Sequence, residues 1–166
     1  QTIMVPNIRN REEAEAAVAA VRYPPRGIRG VSGNSRSNRF GRIKDYFDKA
    51  DDHICLIAQI ETQMGKDNVE EIAAVDGIDC LFVGPADLAA DLGYLGKNTN
   101  PTPQAAMKDV IERTVKAGCA AGILVFDETE AKKWLNEGAT FVAVVGDGFL
   151  LSRGMDAIVR SFKGTE

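Results

Sequence analysis

Basic charge is the first thing in short supply. Lys and Arg number 20 against 24 Asp and Glu, and the formal net charge is −4. A chain with no basic face cannot repay phosphate binding, which argues against nucleic acid as a partner. Arg36, Arg39 and Arg42 form a local cluster mixed with Gly, Ser and Asn. Long apolar runs are missing too: none reaches the roughly 18–20 residues that span a bilayer, and the first residues do not read as a signal peptide. Cysteine is sparse. Cys55, Cys80 and Cys119 have no CxxC spacing, and the first two lie in apolar runs, where free Cys behaves as a small hydrophobe. A reducing, cytoplasmic setting is the expectation. Histidine occurs once, at His53.

What is present is an ordinary globular composition in 166 residues, enough for one domain with a sizeable core. The apolar runs 54–60 and 80–83 show no alternation, as suits strands buried on both faces of a parallel sheet. Further strands are expected near residues 2, 123 and 141, over 2–5, 123–126 and 141–145. Helical segments fall between them. Asn10 with Glu13 caps one over about 11–22, stopped by Pro24-Pro25. A short amphipathic helix covers 43–50, a helix covers 67–75 and ends at Gly77, and another covers 88–92. Thr102 with Pro103 opens a helix that Gly118 closes, and Asp127 with Glu130 caps 128–137. The last helix runs over about 149–162.

Strict β-α alternation implies parallel strands with right-handed crossovers. Five such strands fit an open sheet, or the last five strands of an eight-stranded (β/α) barrel, which typically takes about 250 residues. A strand at the second residue reads as a pattern entered midway and favours the barrel.

Each of the runs 54–60 and 80–83 is followed by a carboxylate, Glu61 and Asp87. They stand 26 residues apart (87 − 61), one βα repeat, so they come from neighbouring strand ends. In α/β folds ligands sit at the C-terminal ends of parallel strands. Two carboxylates there suggest a hard divalent cation such as Mg²⁺ or Mn²⁺, with water and substrate oxygens completing the shell. The plainer alternative is that Glu61 starts a helix and Asp87 caps one.

The segments RYPPRGIRG at 22–30, QIE at 59–61 and GPADL at 84–88 together carry a resemblance. The chain resembles the metal-dependent 2-oxo acid aldolases of the 2-dehydro-3-deoxyglucarate and 4-hydroxy-2-oxoheptanedioate type, from TIMVPNI to FVAVVGD. The resemblance implies a (β/α)8 TIM barrel of the pyruvate/phosphoenolpyruvate type, of which residues 1–166 would supply strands four to eight as a single domain. The natural polypeptide is then expected to be longer at its N-terminus. The family's general-base histidine, the aspartate supporting it and the enolate-stabilising arginine lie upstream of the matched part, so no catalytic residue is assigned to this chain.

The resemblance also assigns roles. Glu61 and Asp87 become ligands of one divalent cation, Mg²⁺ or Mn²⁺. Gln59, two residues before Glu61 and on the same strand face, becomes an amide donor to a bound 2-oxo acid, against the alternative of a packing residue inside the barrel. The backbone amides of Ala86 and Asp87, at a helix start, would bind the substrate carboxylate, against the alternative of a simple strand-to-helix turn. Many relatives carry Ser at the Ala86 position, and a backbone contact survives that change. His53 precedes its strand, at the barrel face opposite the site, and does not replace the family's histidine. Arg36 and Arg39 reach an acidic substrate tail or a neighbouring subunit, or form a solvated loop. Asp147, between glycines, is expected in a turn, and Trp134 in the core or an interface.

The implied chemistry is reversible aldol cleavage of a 4-hydroxy-2-oxo acid to pyruvate and an aldehyde through a metal-bound enolate. No lysine stands at a strand end near Glu61, which disfavours a Schiff base. Two rivals stay open: decarboxylation of oxaloacetate through the same enolate, and a catalytically silent segment that keeps only the metal and carboxylate half-site. Homo-oligomers with exchanged C-terminal helices are implied, and Phe149, Leu150, Met155, Ile158 and Phe162 suggest packing beyond one chain.

Overall fold

A computed structural model describes residues 1–164. Five parallel strands pair in sequence order: β1 (Thr2–Val5), β2 (Cys55–Ile60), β3 (Cys80–Val83), β4 (Ala120–Leu124) and β5 (Phe141–Ala143). Order without reversal means that every crossover winds the same way, so the helices stack on one face and the sheet curls into a half-barrel. The helices are α1 (Arg11–Val21), α2 (Tyr46–Lys49), α3 (Gln63–Asp67), α4 (Val69–Ala73), α5 (Pro85–Asp91), α6 (Pro101–Lys116), α7 (Glu128–Asn136) and α8 (Asp147–Lys163).

The strands bury both faces, but unequally. Leu56, Ala58 and Ile60 of β2, Leu81 and Val83 of β3, and Ala121 and Ile123 of β4 join Val18, Ile72, Val110, Ile111 and Trp134 in the main core beneath the helices. The alternate residues Ile57, Cys80 and Phe82 make a smaller cluster on the concave face. Trp134 is fully buried, so the core alternative for it is the one realised. Gly122 lets this concave cluster close: a Cβ there would lie 2.6 Å from Phe82 Cδ2 and 2.9 Å from the Phe141 carbonyl. That close approach explains why a weak β-former occupies a central strand.

Several boundaries differ from expectation, each for a local reason. The helix expected over 67–75 is realised as the shorter α4; α3 precedes it without having been expected, and the two are broken at Asn68 (φ −102°, ψ 19°). Thr62 caps α3 by accepting from the Gly65 N–H, and the Asn68 side chain donates to the Arg9 carbonyl at 2.9 Å. Arg113 of α6 holds the break from below, donating to the Lys66 and Asp67 carbonyls and pairing with Glu70. Its hydrogen bonds hold the Glu70 carboxyl down at about 2. The start of α6 is capped by Asn100, with Pro101 as its first residue, not by Thr102 with Pro103. β4 begins three residues earlier than 123, because the turn at Gly118 delivers the chain directly beside Cys80. α5 begins at Pro85, which presets the first helical turn. The helix expected over 43–50 is reduced to α2 and a 3₁₀ turn at Asp51–His53.

Candidate functional site

Glu61 follows β2 and Asp87 lies in the first turn of α5, which follows β3. Since β2 and β3 pair in register from Ile57 with Cys80 to Ile60 with Val83, the two acids emerge side by side. They line one cleft of about 340 Å³ with Asn7, Thr62 and Asp91. Asp87 is not a helix cap: Gly84 is the N-cap of α5 and no side-chain capping bond is made there. Glu61 does not start α3 either, since Thr62 is its cap. Both plainer roles are therefore taken by other residues.

Glu61 is half-buried and its environment is tight. Its Oε2 accepts the Asn7 N–H at 2.7 Å. Its Cγ and Oε1 lie 2.7 Å from where a Gly84 Cβ would be. Burial pushes the Glu61 carboxyl above the ordinary carboxylate range; the Asn7 hydrogen bond opposes this, and the Asp87 charge adds to it. Among the described residues neither acid has a cationic partner. Two like charges held together without a counterion are the setting in which a hard cation is most favourable. No group of three or more His, Cys, Asp and Glu converges on one point among the described residues. The donor set offered is thus two carboxylates, which fits a cation that keeps water or ligand oxygens for its remaining positions.

Gln59 shares the concave strand face with Ile57 and pairs in register with Phe82. Ala86 is exposed, and the first helical bond of α5 is from the Leu88 N–H to the Gly84 carbonyl at 3.0 Å. The Ala86 and Asp87 N–H groups precede it, free as the first N–H groups of a helix are.

The remaining candidates lie elsewhere. His53 ends the 3₁₀ turn before β2, at the opposite end of the strands from the cleft. Arg36 and Arg39 are exposed in the loop over 33–42. That loop is organised by the buried Asn38, whose Oδ1 accepts from the Ser35 and Gly41 N–H groups. Asp147, expected in a turn, is instead the first residue of α8, and its Oδ1 accepts the Gly148 N–H at 2.7 Å. Asn7, Asp91 and the close approach of Gly84 were not singled out from sequence. Asn7 alone carried a signal, a residue tolerant of positive φ just after a strand and a proline.

Residues 1–154 match the HpcH/HpaI aldolase/citrate lyase family. The chain belongs to that family. It is 48% identical over 163 residues to a 4-hydroxy-2-oxo-heptane-1,7-dioate aldolase of Klebsiella pneumoniae subsp. pneumoniae, covering 98% of this chain and 62% of that protein. It is also 48% identical over 162 residues to a pyruvate aldolase of Rhizobium etli, covering 98% of this chain and 64% of that one. The crystal structure of an HpcH/HpaI aldolase/citrate lyase family protein from Burkholderia cenocepacia J2315 superposes with a TM-score of 0.93 at 38% identity, over 98% of this chain and 65% of that one. The chain therefore spans less than two thirds of the length of these HpcH/HpaI relatives. Among the described residues no helix is long and apolar enough to cross a membrane.

Proposed function

We propose that this HpcH/HpaI chain forms the cation-holding and oxo-acid-holding part of a (β/α)8 barrel aldolase that cleaves 4-hydroxy-2-oxo acids reversibly to pyruvate and an aldehyde. The observation that carries this reading is the pair Glu61 and Asp87 in one cleft at adjacent strand ends, without a counterion among the described residues. The names of the relatives supply the reaction class.

Glu61 and Asp87 hold one Mg²⁺ or Mn²⁺ ion through hard carboxylate oxygens. When bound, the cation supplies Lewis-acid stabilisation of the negative charge that develops on the oxo acid as the carbon–carbon bond breaks. The Gln59 amide donates to an oxo-acid oxygen from the concave face. The Ala86 and Asp87 N–H groups receive its carboxylate at the start of α5, where unpaired donors face outward. Val83, Gly84 and Pro85 are buried, which fixes the direction of those donors. The described residues near the cleft include no histidine, and we assign the proton transfers to groups outside this set.

Release of pyruvate from 4-hydroxy-2-oxoheptanedioate by the intact natural protein tests the reading, followed by coupled NADH oxidation, with oxaloacetate assayed in parallel. Chelation by EDTA is expected to stop pyruvate release and added Mn²⁺ to restore it. An unchanged rate in EDTA, or consumption of oxaloacetate alone, would contradict it.

We further propose that the protein is a homo-oligomer whose copies pack through α8. This helix has 17 residues and none of them is buried. Leu150, Leu151, Met155, Ile158, Val159 and Phe162 are all at least half exposed on it. Apolar residues on a helix that no other described residue buries need another surface. Sedimentation equilibrium is expected to give a multimer at micromolar concentration, and a monomer there would contradict the proposal.

A further inference from the structure

The turn after β1 reaches two of the residues on which the proposed chemistry depends. The Ile8 N–H donates to the Gln59 carbonyl at 3.0 Å. One residue earlier, the Asn7 N–H donates to Glu61 Oε2 at 2.7 Å. Asn7 does so with φ at 57°, in the left-handed region. Asn enters that region more readily than other residues bearing a Cβ, because its short polar side chain bonds locally. The same residue lines the cleft beside Glu61, Thr62, Asp87 and Asp91. A third strand end thus meets the two that carry the acids. Packing beneath holds the turn: Ile8 is 4% exposed, and a Cβ on Gly65 of α3 would lie 2.8 Å from the Ile8 carbonyl.

A carboxylate that binds a cation is itself oriented by hydrogen bonds, and a donor held on one of its oxygens directs the other. We propose that Asn7 is the positioning residue of the cleft: its left-handed backbone engages Glu61 Oε2 and leaves Oε1 for a divalent cation. The proposal rests on the reading of Glu61 and Asp87 as cation ligands. The left-handed backbone and the N–H it aims are the operative parts, not the Asn side chain.

That distinction gives the test. Glycine adopts the same φ without cost and keeps the N–H, whereas valine, β-branched, is a strong outlier there and must move the turn. Mn²⁺ is titrated into the intact protein without substrate, and free Mn²⁺ is read by electron paramagnetic resonance, with thermal melts confirming the fold. Asn7→Val is expected to weaken Mn²⁺ binding by about 10–100-fold, the usual cost of losing a group that orients a ligand. Asn7→Gly is expected to stay within about threefold of the parent. If Asn7→Val does not fold, the same contrast is read between Asn7→Gly and the less strained Asn7→Ala. Parental affinity in Asn7→Val, or equal weakening in Asn7→Gly, overturns the proposal. A parent that binds no Mn²⁺ overturns it as well, and identifies the failure as that of the cation site itself.

Discussion

Replacing Glu61 or Asp87 by alanine is expected to lower aldol cleavage by more than about 100-fold, since losing a ligand should exceed the about 10–100-fold cost of losing a group that merely orients one. The two variants should differ in how they fail. In Asp87→Ala, Glu61 remains half-buried and bonded to Asn7; burial, the main cause of its raised carboxyl, persists and only the smaller contribution of the Asp87 charge is lost. In Glu61→Ala, the Asn7 N–H loses its acceptor, and the turn after β1 keeps only the Ile8 N–H bond to the Gln59 carbonyl of β2. A small loss of thermal stability is therefore expected for Glu61→Ala and little or none for the exposed Asp87→Ala. Coupled pyruvate assays across a Mn²⁺ series, alongside thermal melts, make the comparison. Activity that survives in either variant with an unchanged metal response would remove the ligand assignment.

The second large effect is expected at a residue with no functional group. Gly84 has φ −95° and ψ 94°, extended backbone open to any residue, so its glycine is required by space and not by conformation. A Cβ would sit 2.7 Å from both Cγ and Oε1 of Glu61 and 3.2 Å from its Cδ. Gly84→Val must shift the Glu61 carboxylate from its place in the cleft while leaving both acids in the chain. Mn²⁺ affinity is expected to drop by about 10–100-fold, as for other displaced ligands, with α5 still formed, since its first bond uses the residue 84 carbonyl rather than a side chain. Gly84→Ala is the milder version and should fall between. Parental Mn²⁺ affinity in Gly84→Val would mean that the position of Glu61 beside Gly84 does not matter to the cation.

The parts of this fold that sequence made plain are those where one local signal acts alone. The runs around β2 and β3 are apolar on both faces and bounded by polar turns, so their strands and the acids after them could be placed within a residue. Asn10 and Asp127 cap their helices as expected, accepting from the Glu13 and Glu130 N–H groups at 2.9 Å each. Elsewhere, adjacent signals compete. Asn100-Pro101 and Thr102-Pro103 are both cap-and-proline pairs, and the first is used. For β4 the apolar residues run on through Val125 and Phe126, while its actual centre, Ala121-Gly122, has poor strand propensity. Only the Phe82 ring and the Phe141 carbonyl explain why so small a residue belongs there.

The candidate site divides the same way. Glu61 and Asp87 were legible because strand ends in a parallel sheet point their following residues to one rim. The contact of Glu61 with Asn7 and Gly84 was not, because it depends on how three strand ends converge, 54 residues apart in one case. His53 stands before β2 rather than after it, at the end its place in the sequence implied. The assignment of Gln59, Ala86 and Asp87 to the oxo acid came from the family likeness; of the three, Asp87 lines the cleft with Glu61.

Stoichiometric Mn²⁺ binding to the intact protein, with and without pyruvate, tests the central claim most directly. One Mn²⁺ per chain is predicted, held more tightly when pyruvate is present and lost in both Glu61→Ala and Asp87→Ala. A chain that binds no Mn²⁺, or whose site survives both substitutions, would contradict it.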